Sequence, residues 1–273
     1  PAIHRMVLGY YYWYLDMNTA IVAELRRICG DQWVLEEPLQ LLTYECDALP
    51  HLRESPALVV LPGSAAEVQA VVRACAAHAI PFVARGAGTG LSGGALPVAE
   101  GIVISLARMN RILEVDLESQ RVVVEPGVAN LDVTRAVAAD GFFYAPDPSS
   151  QQVCTIGGNV AENSGGAHCL KYGFTAHHVT GLTFVLPNGE VVELGGKALD
   201  PDGPDLIGVV VGSEGTLGIV TRITLRLVRV PQAVRTLLAA FHTMDAAGAA
   251  VEGIVGAGVM PSAIEMMDRL TIE

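Results

Sequence analysis

The sequence is poor in charge, and poorer in cations than in anions. Only 17% of its 273 residues are charged, and 17 Lys and Arg against 29 Asp and Glu leave a net charge of −12. An acidic surface repels phosphate backbones, so nucleic acid is not expected as a partner. Long hydrophobic runs are missing too. The longest, counting glycine, is the ten-residue stretch Met6 to Leu15, where a spanning helix needs about 20, so no transmembrane segment is expected. The five cysteines include no C-x-x-C pair and are odd in number. That argues against a disulfide framework or a zinc ribbon and for reduced thiols in a reducing, cytoplasmic compartment. Aromatics make up only 5%.

What the chain does have is apolar residues (51%) and 29 glycines gathered in clusters. The first excludes a disordered chain and the second a collagen-like or linker-like one. The length suits one large domain or two small ones. A third of the aromatics lie in one run, Tyr10 to Tyr14. After Arg5 this could be a signal-peptide core, but no small-x-small cleavage site follows; the simpler expectation is that Met17 is the natural start.

From Asn18 the spacing of Ile21, Val22, Leu25 and Ile28 predicts a helix. Strands are predicted at Ala57 to Leu61, Phe82 to Ala84, Ile102 to Ser105, Ile112 to Asp116 and Arg121 to Val124. Ser64 and Glu67 form a capping box that opens a helix running to about Ala79. Asn130 is expected to cap a helix that stops at Gly141. Asn188-Gly189 reads as a hairpin turn between Leu182 to Leu186 and Val191 to Leu194. Ile219 to Val230 reads as one long strand, with Ile219, Thr221, Ile223, Leu225 and Leu227 facing one way and Arg222, Thr224 and Arg226 the other. Residues 57–230 therefore form one α+β domain. After Pro231 a second begins, with a strand near Leu237 to Phe241, a helix near Asp245 to Val255 and a strand near Ala263 to Met267.

The main chemical signal is Arg85 to Gly94, RGAGTGLSGG, with five glycines in ten residues. Such a loop can turn with positive φ, approach a ligand closely and aim successive N–H groups at a diphosphate. Thr89 and Ser92 add hydroxyl donors. Gly88 to Gly93 matches G-x-G-x-x-G, but a Rossmann unit needs a helix directly after it, and Pro97 and Gly101 leave no room for one. A second glycine-rich stretch, Thr155 to Asn159 with Glu162 to Gly166, follows Pro146 to Ser149, and a third stands at Gly212 to Val220. Separated glycine loops suit a long ligand lying extended across the domain.

These strings, with His168 to Gly173 (HCLKYG) and Tyr44 to Asp47 (YECD), resemble the FAD-binding domain of the vanillyl-alcohol oxidase or p-cresol methylhydroxylase type. Within it they resemble the FAD subunit of glycolate oxidase and FAD-linked D-lactate dehydrogenases. The likeness spans about Asn18 to Glu273. It implies an α+β chain: an N-terminal segment and helix (1–56), a two-subdomain FAD-binding domain (57–230) and the start of an α+β substrate or cap domain (231–273). It also implies that Arg85, Gly86, Ala87, Gly88, Thr89, Gly90, Leu91 and Ser92 cradle the FAD diphosphate. Pro146, Ser149, Thr155, Gly158, Asn159 and Ser164 would line the flavin side, and Glu214, Gly215 and Ile219 the adenosine half. No histidine stands in the first glycine loop, and Cys154 is one position away from the cysteine of covalent relatives, so the FAD is expected to be noncovalent.

The implied activity is oxidation of a small 2-hydroxy acid, such as glycolate or D-lactate, by hydride transfer to flavin. Electrons would pass to an iron–sulfur partner subunit or a quinone chain, so the implied location is cytoplasmic, peripheral at the inner membrane through partners. The catalytic residues are implied to lie beyond the FAD domain, where His242 is the sole histidine here. The expectation is thus an N-terminal fragment that binds FAD, or else the FAD module of a split enzyme completed by another polypeptide. A third reading on the same scaffold is a sugar-nucleotide enoyl reductase. His168 and Lys171 are candidates for a flavin-proximal cation, or simply loop charges. Neighbouring His177 and His178 do not converge on a metal, Arg222, Arg226 and Arg229 read as a solvated face, and Asp200 to Asp205 reads as a turn.

Overall fold

The computed structural model describes residues 20–198 and 203–273. The aromatic run, Met17, the predicted helix start at Asn18 and part of the Asp200 to Asp205 turn lie outside these residues. In the first layer, helix α1 (20–29) precedes strand β1 (Val34–Leu35), helix α2 (Pro38–Leu41), strand β2 (Leu58–Val60), helix α3 (Ala65–Ala77), and strands β3 (Phe82–Arg85) and β4 (Ile102–Ser105). The sheet order is β1-β2-β4-β3, with β2 and β3 both parallel to the central β4. Parallel pairs are covered on both faces. Accordingly Leu58 and Val60 enter one core with α1 and α3, while Val59 and Val103 enter another under Trp33, Leu41 and Tyr44.

Helix α3 shows why the local pattern suffices. Val68, Val71, Val72 and Cys75 recur at helical spacing and are all fully buried. Ser64 Oγ accepts from Glu67 N at 3.2 Å, and Glu67 Oε2 accepts from Gly63 N at 2.8 Å. The first bond satisfies a donor that the first turn leaves unpaired, and the second ties the chain just before the cap back to the helix.

The second layer adds strands β5 (Ile112–Asp116) and β6 (Arg121–Val124), helix α4 (Asn130–Val137), strand β7 (Phe142–Phe143), and helices α5 (Ile156–Glu162) and α6 (Cys169–Tyr172). Strands β8 (Val179–Val185) and β9 (Val191–Gly195), helix α7 (Leu206–Val210), and strands β10 (Ile219–Arg226) and β11 (Val228–Arg229) follow. The large sheet is antiparallel in the order β5-β6-β10-β8-β9. Its inner face (Val122, Val124, Leu182, Ile223, Leu225) packs on α4 and α5 residues such as Val133 and Ile156. The Asn188-Gly189 turn joins β8 to β9, with Asn188 Oδ1 accepting from Glu190 N. Gln69 of α3 donates to Gly189 O at 2.7 Å and so ties the two layers.

Four expectations are corrected. Asn130 is not a cap: it lies inside α4, buried, and its Nδ2 donates to Pro146 O at 3.1 Å. The long final strand breaks at Leu227, whose N–H turns to Gln120 O, and β11 then pairs with β7. Thr224 is buried rather than solvated, because the backbone of Gly196 crosses the sheet beside it at Gly181. Beyond Pro231 there is no strand at 237–241 or 263–267. β-propensity makes no strand without a ladder partner, and Leu237 and Leu238 stand 85% and 90% exposed. The helix there is present as α8 (Met244–Gly256), capped by Thr243 Oγ1; α9 (Arg269–Ile272) ends the chain. Among the described residues no helix is long and apolar enough to cross a membrane.

Candidate functional site

The three glycine-rich loops meet in one cleft of about 290 Å³ between the two layers. It opens beyond the carboxyl ends of β3 and β4, where parallel strands deliver ligand-binding loops. The first loop leaves β3 at Arg85, the second is the start of α5, and the third, 213–218, leads into β10 at Ile219. Helix α5 is the hub. Its N-cap Thr155 accepts from Gly158 N, Val160 O and Ala161 O accept from Gly212 N and Glu214 N at 2.8 and 2.9 Å, and Glu162 Oε2 accepts from Ser92 Oγ at 2.6 Å.

Of the residues singled out from sequence, Arg85 to Leu91, Ser149, Thr155, Gly158, Asn159, Ser164, Glu214, Gly215 and Ile219 all line this cleft. Ser92 and Pro146 do not. Ser92 is turned to Glu162, and Pro146 is buried in the wall with its carbonyl held by Asn130. Arg85 lines the cleft with its chain only in part, because its guanidinium donates to Ala95 O at 3.0 Å and Cys46 O at 2.8 Å. Burial pulls its pKa down, against the influence of Cys46, Asp47 and Tyr44. Cys154, weighed from sequence only for covalent attachment, also lines the cleft, as do Pro126, Ser213 and Gly218, which sequence reasoning did not single out. The Gly212 to Val220 string signalled the last two, and nothing in the sequence signalled Pro126.

The chemistry of the cleft follows from its donors. Arg85 is the one cation among the lining residues, and its guanidinium already serves protein carbonyls. An anion here must therefore be met by backbone N–H groups and hydroxyls such as that of Thr89. Among the described residues, those of Gly88 to Ser92 donate to no carbonyl or side chain. Successive unpaired donors on a glycine loop form a concavity suited to phosphate oxygens. Deeper in, Asn159 is 1% exposed and its Nδ2 has no partner. A buried amide donor left unmade is costly, and a ligand acceptor would satisfy it. Asn163 (φ 47°) and Glu214 (φ 53°) hold left-handed backbone beside the cleft, the kind of strain that gathers at functional sites. Cys154 is buried, and burial raises its pKa, so it stands as a neutral thiol.

The other candidates separate. His168 bonds Asp147 Oδ2 through Nδ1 at 2.6 Å, Lys171 lies over the Tyr172 ring, and neither lines the cleft. His177 and His178 diverge: the first accepts from Phe174 N, while the second is buried with Nε2 2.9 Å from Tyr172 O. Arg222 and Arg226 are exposed, and Arg229 stacks on Phe142.

Because a carbonyl only accepts, His178 carries its proton on Nε2 and leaves Nδ1 bare. Burial lowers its pKa from the ordinary 6.5. The unfolded chain therefore takes up the proton first as the pH drops. Stability is full above about 6.5 and is lost from there down towards the folded value, by at most about 1.4 kcal/mol per pH unit. Urea midpoints at pH 7.5 and 5.5 should differ in the native chain, and the difference should shrink in His178→Gln. An unchanged difference would assign the acid sensitivity to other groups.

The family model described as "FAD binding domain" matches residues 56–195, and that of "FAD linked oxidases, C-terminal domain" matches 230–273. The chain is 45% identical to the glycolate oxidase subunit GlcD of Escherichia coli K12, over 93% of this chain and 51% of that one. It is 39% identical to a D-lactate dehydrogenase of Anaerostipes hadrus, over 78% of this chain and 45% of that one. A solved structure of p-cresol methylhydroxylase with substrate bound superposes with a TM-score of 0.68 at 26% identity, over 80% of this chain and 44% of that one. The chain spans about half the length of the curated relatives it matches.

Proposed function

The chain belongs to the FAD-binding-domain family of FAD-linked oxidoreductases, and on that premise we propose that it binds FAD noncovalently in the three-loop cleft and serves the oxidation of a small 2-hydroxy acid. The observation that carries this reading is the run of unpaired N–H groups from Gly88 to Leu91, joined in one cleft to the buried, unpartnered Nδ2 of Asn159. A diphosphate meets the first and a heterocycle with an acceptor atom meets the second. When bound, FAD supplies a two-electron acceptor for hydride.

The chain's own residues do the rest. Thr89 and the backbone of Gly88, Gly90 and Leu91 receive the diphosphate, because no free cation competes for it. Ser149, Thr155, Asn159 and Ser164 face the flavin side, and Glu214, Gly215 and Ile219 the adenosine half. The neutral thiol of Cys154 is a poor nucleophile, which favours noncovalent attachment. Residues that hold the hydroxy acid, glycolate or D-lactate by likeness, are assigned to the part of the relatives' length outside this chain. An iron–sulfur subunit or quinone chain is the proposed electron acceptor, reached from a cytoplasmic position at the membrane face.

Titration of the purified chain with FAD tests the central reading. A yellow complex should form and release all its flavin on acid precipitation, and Asn159→Leu should weaken it about tenfold, near the value of one buried hydrogen bond. No complex at any FAD level overturns the reading, and flavin that stays on the acid-denatured polypeptide overturns noncovalent attachment. Anaerobic addition of glycolate or D-lactate then reads turnover by bleaching.

A further inference from the structure

Tyr44 to Asp47 precedes the domain that the cleft serves, and no role in that cleft follows from the three loops. Its contacts give it one. The guanidinium of Arg85 bridges the first loop from end to end, since Arg85 begins the loop and Ala95, which accepts from it, closes the turn. The same guanidinium reaches outward to Cys46 O at 2.8 Å. Two residues on, Ala48 N donates to Gly90 O at 3.2 Å, in the middle of the loop. The loop is thus pinned at its start, middle and end from outside the cleft. Tyr44 adds its ring, 5.6 Å from the guanidinium carbon.

Arg85 is 6% exposed and has no hydrogen-bonded carboxylate among the described residues. A buried cation held only by neutral carbonyls needs a counter-charge nearby. Asp47 is 7% exposed, its Oδ1 accepts from Leu49 N at 2.8 Å, and its buried Oδ2 has no hydrogen-bond partner. Asp47 directly follows Cys46, whose carbonyl holds the Arg85 guanidinium, and its charge opposes the lowering of the Arg85 pKa by burial. Such an arrangement is a poor bargain for stability alone, because one carboxylate oxygen is stripped of water and left unbonded. It makes sense if it keeps the guanidinium against the loop.

We infer that residues 44–49 form an outer clamp that holds the first glycine loop in its ligand-ready shape through Arg85, with Asp47 the positioning residue that keeps Arg85 in place. A loop with five glycines has many conformations to lose, and holding it before the ligand arrives removes that loss from binding. The inference rests on the FAD reading for its purpose, but not for its geometry.

Asp47→Asn separates the possibilities by sign. It keeps an acceptor for Leu49 N and removes one negative charge from near a site for an anion. Plain electrostatics therefore expects FAD to bind more tightly. The clamp expects the dissociation constant to rise about tenfold, and amide hydrogen exchange of residues 86–94 in the apoprotein to quicken while that of β6 and β10 stays as it was. Arg85→Lys, which cannot fork to both carbonyls, should do the same more strongly. FAD affinity equal to or tighter than native in Asp47→Asn, or unchanged exchange of 86–94 in both variants, overturns the clamp. If the native chain itself fails to take up FAD, the functional reading fails while the exchange measurement still decides the clamp.

Discussion

Gly88→Ala should lower FAD affinity by at least a hundredfold while leaving the apoprotein folded. Gly88 has φ +69°, where an L side chain costs about 1–2 kcal/mol. The added methyl would also collide with Arg85 Nη2 and Cζ. An arginine tip usually yields cheaply, but this one is held by two carbonyls, at 3.0 and 2.8 Å. Hydrogen bonds from a charged donor are worth about 1.5–3 kcal/mol each. The cheaper escape is for the loop itself to flip to negative φ, which turns the N–H groups of Gly88 and Thr89 away from the cleft. The loss then falls on binding and not on the core, since residues 86–91 contribute nothing to the three apolar clusters. A hundredfold loss is about 2.7 kcal/mol, within what strain and collision supply. Fluorescence titration with FAD, beside a melt of the apoprotein, checks both halves. Native affinity in this variant would mean that the loop does not present its N–H groups as argued.

The loop shows what the sequence could and could not reveal. Its glycine density pointed to a close-approach site because only that residue type permits it, and the spacing of three such loops pointed to an extended ligand. Short apolar runs likewise located β2, β4 and β6, which are buried at every position, and helical spacing located α3. What it could not supply is the partner across space. Arg85 stood among the residues implied to cradle the diphosphate, and its guanidinium instead serves Ala95 and Cys46, the latter 39 residues away. Ser92 read as a free donor, but Glu162 claims it from 70 residues on. Asn130 fits a cap by type and is drawn inward by Pro146 O. The strands expected after Pro231 fail for the same reason: a strand is a property of two segments, and the second is not supplied by the described residues.

Gly166→Ala should be the most damaging single methyl in the domain for stability. Its Cβ would fall on the main-chain carbonyl of Asp147, both oxygen and carbon. Unlike a side chain, that carbonyl has little room to move. Asp147 stands between Pro146 and Pro148, whose rings fix φ, and its carboxylate is held by His168 N and Nδ1 at 3.3 and 2.6 Å. Pro146 O is tied to buried Asn130. On the other side, Gly166 N donates to Cys169 Sγ and Gly166 O accepts from Cys169 N, so the second segment is equally fixed. Relief requires separating residues 146–149 from 164–169. A forced shift of this kind costs about 3 kcal/mol or more, which for a chain of this size is roughly 6–12 °C in Tm. Ser149 and Ser164 line the cleft from these two segments, so FAD affinity should fall with stability. The double variant Asp147→Ala/Gly166→Ala discriminates further. If the clash is with the main chain, removing the Asp147 carboxylate gives no rescue. If it is with the carboxylate alone, the double variant melts above Gly166→Ala, and the argument from backbone packing is wrong.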